Sequence, residues 1–221
     1  MQIIPAKTPE FVKTLFPNFV WNINTENKEL YLTFDDGPTP EITDWVLNVL
    51  DEYNAKATFF CIGTNIEKHP EIFQNIISKD HTVGNHTYNH LKGWKHKTKD
   101  YVEDVEKTQS LLNSKFGNRQ SAISNLFRPP YGKFKNKQSK KLLELGYRVI
   151  LWDVLSYDWD KSVSEDTCFK NVTSAAKEGS IIVFHDSIKA SRNLKYTLPK
   201  VLEYYSKKGY ELKALSKHIL E

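Results

Sequence analysis

The chain predicts an α/β fold with a parallel sheet curled toward a barrel, and three observations carry that prediction. β-prone runs alternate with amphipathic helical stretches, several of those runs are continuously apolar, and unusual polar groups stand directly after them. A strand buried on both faces reads as an unbroken apolar run, which is how parallel strands covered by helices appear. The length of 221 residues suits one such unit. No internal repeat and no Pro/Ser-rich linker divides it.

Leu30 to Phe34 reads as the first strand, stopped by the turn-forming Asp35-Asp36-Gly37-Pro38. Thr39 is placed to cap a helix with Pro40 at its first position, and Ile42, Trp45, Val46, Val49 and Leu50 make its apolar stripe. Ala57 to Ile62 is the next strand. Pro70 opens a helix carrying Ile72, Phe73, Ile76 and Ile77, after which His81 to Gly84 leads as a short strand to His86. Val102, Val105, Leu111, Leu112 and Phe116 mark a longer helix from Asp100, with Gly117 as its stop. Leu126-Phe127 then runs into Arg128-Pro129-Pro130-Tyr131-Gly132.

A helix over Asn136 to Leu145 stops at Gly146, and Tyr147 to Val154 reads as one strand delivering Asp153, Asp158 and Trp159. Glu165 to Lys177 is helical, and Ile181 to Phe184 is an apolar strand followed at once by His185-Asp186. A helix from about Leu198 to Lys208 and a strand near Tyr210 to Leu215 complete the series. Residues 1–29, with Phe11, Phe16, Phe19, Val20 and Trp21, are expected to cover the barrel as an N-terminal segment, and 30–221 to form the domain. In such folds ligands bind outside the carboxyl ends of the strands. Asp35, Asp36, His86, His90, Arg128, Asp158 and His185 are therefore expected at one mouth.

Composition narrows the classes. Hydrophobic residues are 39% and charged residues 26%, which excludes a disordered or fibrous chain. The net charge of +4 comes from scattered lysines and does not argue for nucleic acid; the densest run, Lys92, Lys95, Lys97 and Lys99 around Trp94, reads as a solvated loop. Cys61 and Cys168 are far apart in sequence and read as small buried hydrophobes. Met1 to Lys7 lacks the charged and apolar regions of an export leader, and nowhere do about 18 apolar residues run together, so the expectation is a cytoplasmic chain without a membrane span.

The chemistry lies in combinations. His86 and His90 are four residues apart and can reach one ion from a helical turn or a tight loop, although isolated pairs of this kind are common without metal. Asp35-Asp36 at a strand end either repel each other until a cation intervenes, or face solvent and cap the following helix. Arg128 before two prolines offers a planar fork for a carboxylate on a stiff loop, or is simply part of a rigid turn. His185 after its apolar run is either a titratable group in the mouth or a surface histidine.

Taken together, these segments resemble the polysaccharide deacetylases that share the NodB homology domain, carbohydrate esterase family 4. Thr33-Phe34-Asp35-Asp36-Gly37 looks like the family's first motif, His86-Thr87-Tyr88-Asn89-His90 its second and Arg128-Pro129-Pro130-Tyr131 its third. Asp158-Trp159 is similar to the fourth, and Ile181-Ile182-Val183-Phe184-His185 to the fifth, with Ile and Val where the family has Leu. The swaps keep apolar character and change shape, which bears on the acyl pocket.

The resemblance implies a distorted, incomplete (β/α) barrel of about seven parallel strands. It also implies a metal-dependent hydrolase that removes N-acetyl, or O-acetyl, groups from an acetylated glycan. Asp36, His86 and His90 are then the ligands of a divalent ion, zinc before others, in a site with open positions. Asp35 is the expected base, positioned by Arg128, and His185 the expected acid, oriented by Asp158. The backbone N–H of Tyr131 is the expected oxyanion donor, and Trp159 and Val183, with Tyr131, are expected to line the substrate pocket. Two other readings stay open: hydrolysis of a small non-sugar amide or imide on the same fold, and a noncatalytic glycan-binding module.

Overall fold

The computed structural model describes residues 5–116 and 123–216. The stop expected at Gly117 lies outside them, as do Met1 to Ile4. A short helix α1 (Glu10–Leu15) precedes β1 (Glu29–Asp35), α2 (Ile42–Glu52), β2 (Thr58–Cys61), α3 (Gly63–Lys68), α4 (Pro70–Ser78) and β3 (Thr82–Asn85). Then come α5 (Thr98–Phe116), β4 (Ile123–Phe127), α6 (Asn136–Glu144), β5 (Arg148–Val149), β6 (Val154–Leu155), α7 (Glu165–Thr173), β7 (Ile181–His185), α8 (Ser191–Lys207) and β8 (Glu211–Lys213). The strands run in the order β5-β4-β3-β2-β1-β7-β6, every pairing parallel, and β8 joins the start of β1. This is the curled, incomplete barrel with about seven parallel strands that the alternation and the resemblance predicted.

Side chains alternate across each strand, and the alternation separates core from site. Leu30, Leu32 and Phe34 of β1 join Phe59, Cys61, Ile182 and Phe184 in the outer core under the helices. Tyr31 and Ile181 sit in the inner cluster with Phe60, Leu126 and Ile150. Following the same period, Thr33 and Asp35 on β1 and Val183 and His185 on β7 face inward, and the register pairs Thr33 with Val183 and Asp35 with His185. The polar ends of the strands therefore collect at the carboxyl rim.

Between β5 and β6 the ladder is interrupted, and the strand expected from Tyr147 to Val154 is really these two short pieces. Two things hold the interruption. Arg128, fully buried, donates from Nε to the Ile150 carbonyl (3.2 Å) and from Nη2 to that of Leu151 (2.9 Å). From outside, Val20 bridges Ile150 and Lys7 bridges Val154. Asp153 consequently lies at the opposite end from Asp158: its carboxylate takes Lys7 (2.5 Å), Lys13 (2.7 Å) and the Ser180 hydroxyl (2.5 Å).

The remaining differences have local causes. Thr39 does not cap α2; its N–H donates to the Thr43 hydroxyl (2.8 Å), and the helix starts at Ile42 behind Glu41 at φ 64°. The last helix, expected from about Leu198, begins at Ser191, and Pro199 lies inside it on the side where Lys195 is exposed and its carbonyl can turn to water. The helix expected to Lys177 ends at Thr173. In the N-terminal segment Phe19 and Trp21 pack on the cluster around Phe127, whereas Phe11 (71% exposed) and Phe16 do not reach the barrel core.

Candidate active site

β1 ends in two carboxylates that point different ways. Asp35 continues the inward alternation and its Oδ1 accepts from Arg128 Nη1 at 2.8 Å, deep in the mouth. The guanidinium also donates to the Thr33 hydroxyl (2.7 Å) and lies 4.2 Å from the centre of the Phe60 ring. Burial pulls the Arg128 pKa down and Asp35 opposes it, so the pair is a buried ion pair with its hydrogen bonds satisfied. Asp36 takes a left-handed backbone (φ 84°) and turns its Oδ1 toward two imidazoles, 3.7 Å from His86 Nε2 and 3.3 Å from His90 Nε2.

That group has the donors a cation needs. The three ligand atoms lie within 4.8 Å of one another, and Asp36 Oδ1 is buried with no hydrogen-bond partner among the described residues. His86 Nδ1 lies 2.8 Å from the Arg128 carbonyl, which can only accept. The proton is therefore on Nδ1, and the Nε2 lone pair faces Asp36. Burial lowers the His86 pKa to about 4, which keeps the ring neutral at physiological pH. Burial pushes Asp36 up, but the His90 imidazole beside it and then the charge of His185 carry it well below the ordinary carboxylate range. One anionic and two imidazole donors around an otherwise unpartnered oxygen fit a divalent ion.

The two histidines come from a loop, not a helical turn. Thr87 (φ 65°) and His90 (φ 53°) are both left-handed, and the loop is pinned from several sides. Asn85 Oδ1 accepts from the Thr87 N–H (2.9 Å), and α3 donates from Gly63 N and Thr64 N to the carbonyls of Thr87 and Tyr88. Asp104 on α5 accepts from the N–H groups of Tyr88 (2.8 Å) and Asn89 (3.0 Å) and from the Asn89 side chain (2.5 Å).

Across the mouth, His185 Nδ1 lies 2.9 Å from Asp158 Oδ1, while Asp158 Oδ2 accepts the His185 backbone N–H at 2.7 Å. Burial would lower the His185 pKa, but the Asp158 charge and hydrogen bond outweigh it and raise it to about 9. Trp159 lies half-buried with its ring 4.8 Å from that of His185, stacked on Tyr157. Val183 is buried in the barrel interior, two residues before His185. Tyr131 is left-handed (φ 62°) with an exposed ring 4.8 Å from His90, so its backbone is turned sharply at the rim.

Three supporting groups escaped the sequence reading. Asp186 accepts from Gly37 N–H (3.0 Å) and the Thr43 hydroxyl (2.6 Å), tying the turn after β1 to β7. A Cβ on Gly37 would sit 2.0 Å from Asp186 Oδ2, so only glycine fits there. Burial raises the Asp186 pKa to about 7. Its adjacency to His185 was the one available signal. Asn85 and Asp104 had none, since their role appears only when β3 and α5 are packed together.

Comparison with known proteins agrees with this geometry. A family model described as polysaccharide deacetylase matches residues 22–150. A peptidoglycan-N-acetylglucosamine deacetylase of Bacillus cereus is 40% identical over 159 residues, which are 72% of this chain and 56% of that protein. A second Bacillus cereus protein of the same name is 31% identical over 198 residues, 89% of this chain and 90% of the relative. Among solved structures, a peptidoglycan N-acetylglucosamine deacetylase in complex with 4-naphthalen-1-yl-N-oxidanyl-benzamide superposes with a TM-score of 0.84 at 33% identity, covering 94% of this chain and 95% of that one. Matched in this way by sequence and by structure, and carrying all five motif segments at one rim, the chain belongs to the polysaccharide deacetylase family.

Proposed function

We propose that the protein hydrolyses the N-acetyl group of N-acetylglucosamine units in a glycan, with zinc at Asp36, His86 and His90. The observation that carries this reading is the division of labour at the end of β1, where Asp35 is held by Arg128 and Asp36 presents an unpartnered Oδ1 to two imidazoles. A divalent ion bound there supplies Lewis acidity at the scissile carbonyl. Asp35, with Oδ1 engaged by Arg128, keeps Oδ2 to take a proton from the attacking water. The backbone N–H of Tyr131, turned into the rim by its left-handed conformation, donates to the developing oxyanion.

His185 completes the cycle. Asp158 engages Nδ1 and leaves Nε2–H to protonate the sugar nitrogen as the C–N bond breaks, giving acetate and a free amine. The pKa of about 9 keeps that proton available at neutral pH. Trp159 and Val183 are the side chains proposed to bound the acetyl methyl. The test is acetate release from N-acetylglucosamine oligomers by zinc-loaded protein. Release should stop with a chelator and return with zinc, and Asp35→Asn should bind zinc yet turn over about 100-fold more slowly or worse. Absence of acetate under every divalent ion overturns the reading.

A further inference from the structure

The lysine run that reads as a solvated loop in isolation is half of a larger face. Residues 92–99 and 133–141 together contain nine lysines and no Asp or Glu, and every one of the nine is exposed. The fold zips the two segments together: Lys135 Nζ donates to the His96 carbonyl (2.6 Å), Gln138 Nε2 donates to that of Gly93 (2.9 Å), and Lys133 Nζ lies 5.2 Å from the Trp94 ring centre. The chain has 31 basic and 27 acidic side chains, so without this face it would be net negative.

The face works against the local structure that carries it. Lys135 is the N-cap of α6 and Lys137 lies in its first turn, where the helix dipole disfavours positive charge, and no acid offsets them there. Lys137 and Lys141 are like charges at i,i+4. Among the described residues, the ion pairs this face makes are Lys99 with Glu103 (3.7 Å) and Lys141 with Glu144 (3.8 Å), both within single helices. The other seven lysines of the face have no acid within ion-pair distance among the described residues, so the face presents concentrated charge of one sign to solvent.

The face also runs into the site. His90 meets the Tyr131 ring at 4.8 Å, Tyr131 meets Trp94 at 5.5 Å, and Lys92 Nζ lies 5.5 Å from the Tyr131 ring centre. We infer that this face docks the part of the substrate strand flanking the acetylated sugar, and that this part bears carboxylates, so the preferred substrate is an acidic, N-acetylated glycan. The exposed ring of Tyr131 and the half-buried ring of Trp94 take sugar faces at the rim, and lysines beyond them, as mobile point charges instead of guanidinium forks, suit carboxylates spread along a flexible strand.

This rests on the proposed deacetylation, and two readouts separate the two. The variant Lys95→Glu/Lys97→Glu/Lys137→Glu changes three exposed lysines to which the proposed chemistry assigns no role. Turnover is compared on a neutral N-acetylglucosamine hexamer and on a hyaluronan decasaccharide, in which N-acetylglucosamine alternates with a carboxylated sugar. Binding of the same two probes is measured by fluorescence anisotropy at 50 and 300 mM salt, independently of catalysis.

The expected result is that the variant raises KM for the acidic probe about 10-fold relative to the neutral one with kcat little changed, and that salt weakens acidic-probe binding to the native protein more than to the variant. Equal effects on both probes, or none, overturn the inference. So does tighter binding of an oligodeoxythymidylate of equal charge, which would make the face a phosphodiester site. Failure of acetate release with the anisotropy differences intact would sink only the deacetylase reading.

Discussion

At the scale of single residues, the proposed acid answers to one neighbour before any other. Against the pull of burial, Asp158 first, and Asp36 and Asp35 after it, raise the His185 pKa from its ordinary 6.5 to about 9. An imidazole raised on folding adds stability that is complete below about 6.5 and lost as pH rises through 9, and the donor form disappears over the same range. Asp158→Asn should therefore move the alkaline limb of the kcat/KM profile down by about 1 unit or more. A limb that stays in place would remove Asp158 from that role. Asp35, Asp36, His86, His90, Arg128 and His185 were legible because each lies in a short contiguous motif ending a strand. Asp186 was not, because its significance is a close approach to Gly37 across 149 residues of sequence.

At the scale of elements, the loop from His86 to His90 owes its left-handed turns to a helix that follows it. Asp104→Ala removes three acceptor contacts from the loop and should weaken zinc binding about 10-fold in a competitive dye titration, with a smaller effect on thermal stability. Asp104→Asn keeps an oxygen for both backbone N–H groups and, with the Asn89 amide reversed, should restore most of the affinity. Equal affinity in the alanine variant would show that the loop holds its shape without α5. Periodicity located most helices and strands, because amphipathic stripes and apolar runs are local properties. It failed where tertiary contacts decide: Arg128 breaks the strand expected through Ile150, and Pro199 is accommodated within α8.

At the scale of the whole molecule, the sheet does not close on its own strands among the described residues. Residues 6–23 close it, through backbone bonds of Leu155 to Ala6, Thr8 to Asp153, Leu151 to Val20 and Ile23 to Gly179. The fastening is Asp153 with Lys7 and Lys13, where burial raises the carboxyl pKa and the two ammonium groups more than offset it. Asp153→Ala should lower stability by about 2–3 kcal/mol, read from the denaturant midpoint, while the proposed metal site at the far rim keeps its affinity. No change in midpoint would mean that the apolar contacts of Phe19 and Trp21 suffice. The same arrangement sets an order of assembly. A ribosome makes Val20 roughly 130 residues before the partner it bonds, and during that interval its amide has only water or a foreign strand for company. Nascent chains are open to mispairing throughout that delay, and a chaperone that shelters extended polypeptide should raise the refolding yield of this protein more than that of a barrel sealed by neighbouring strands.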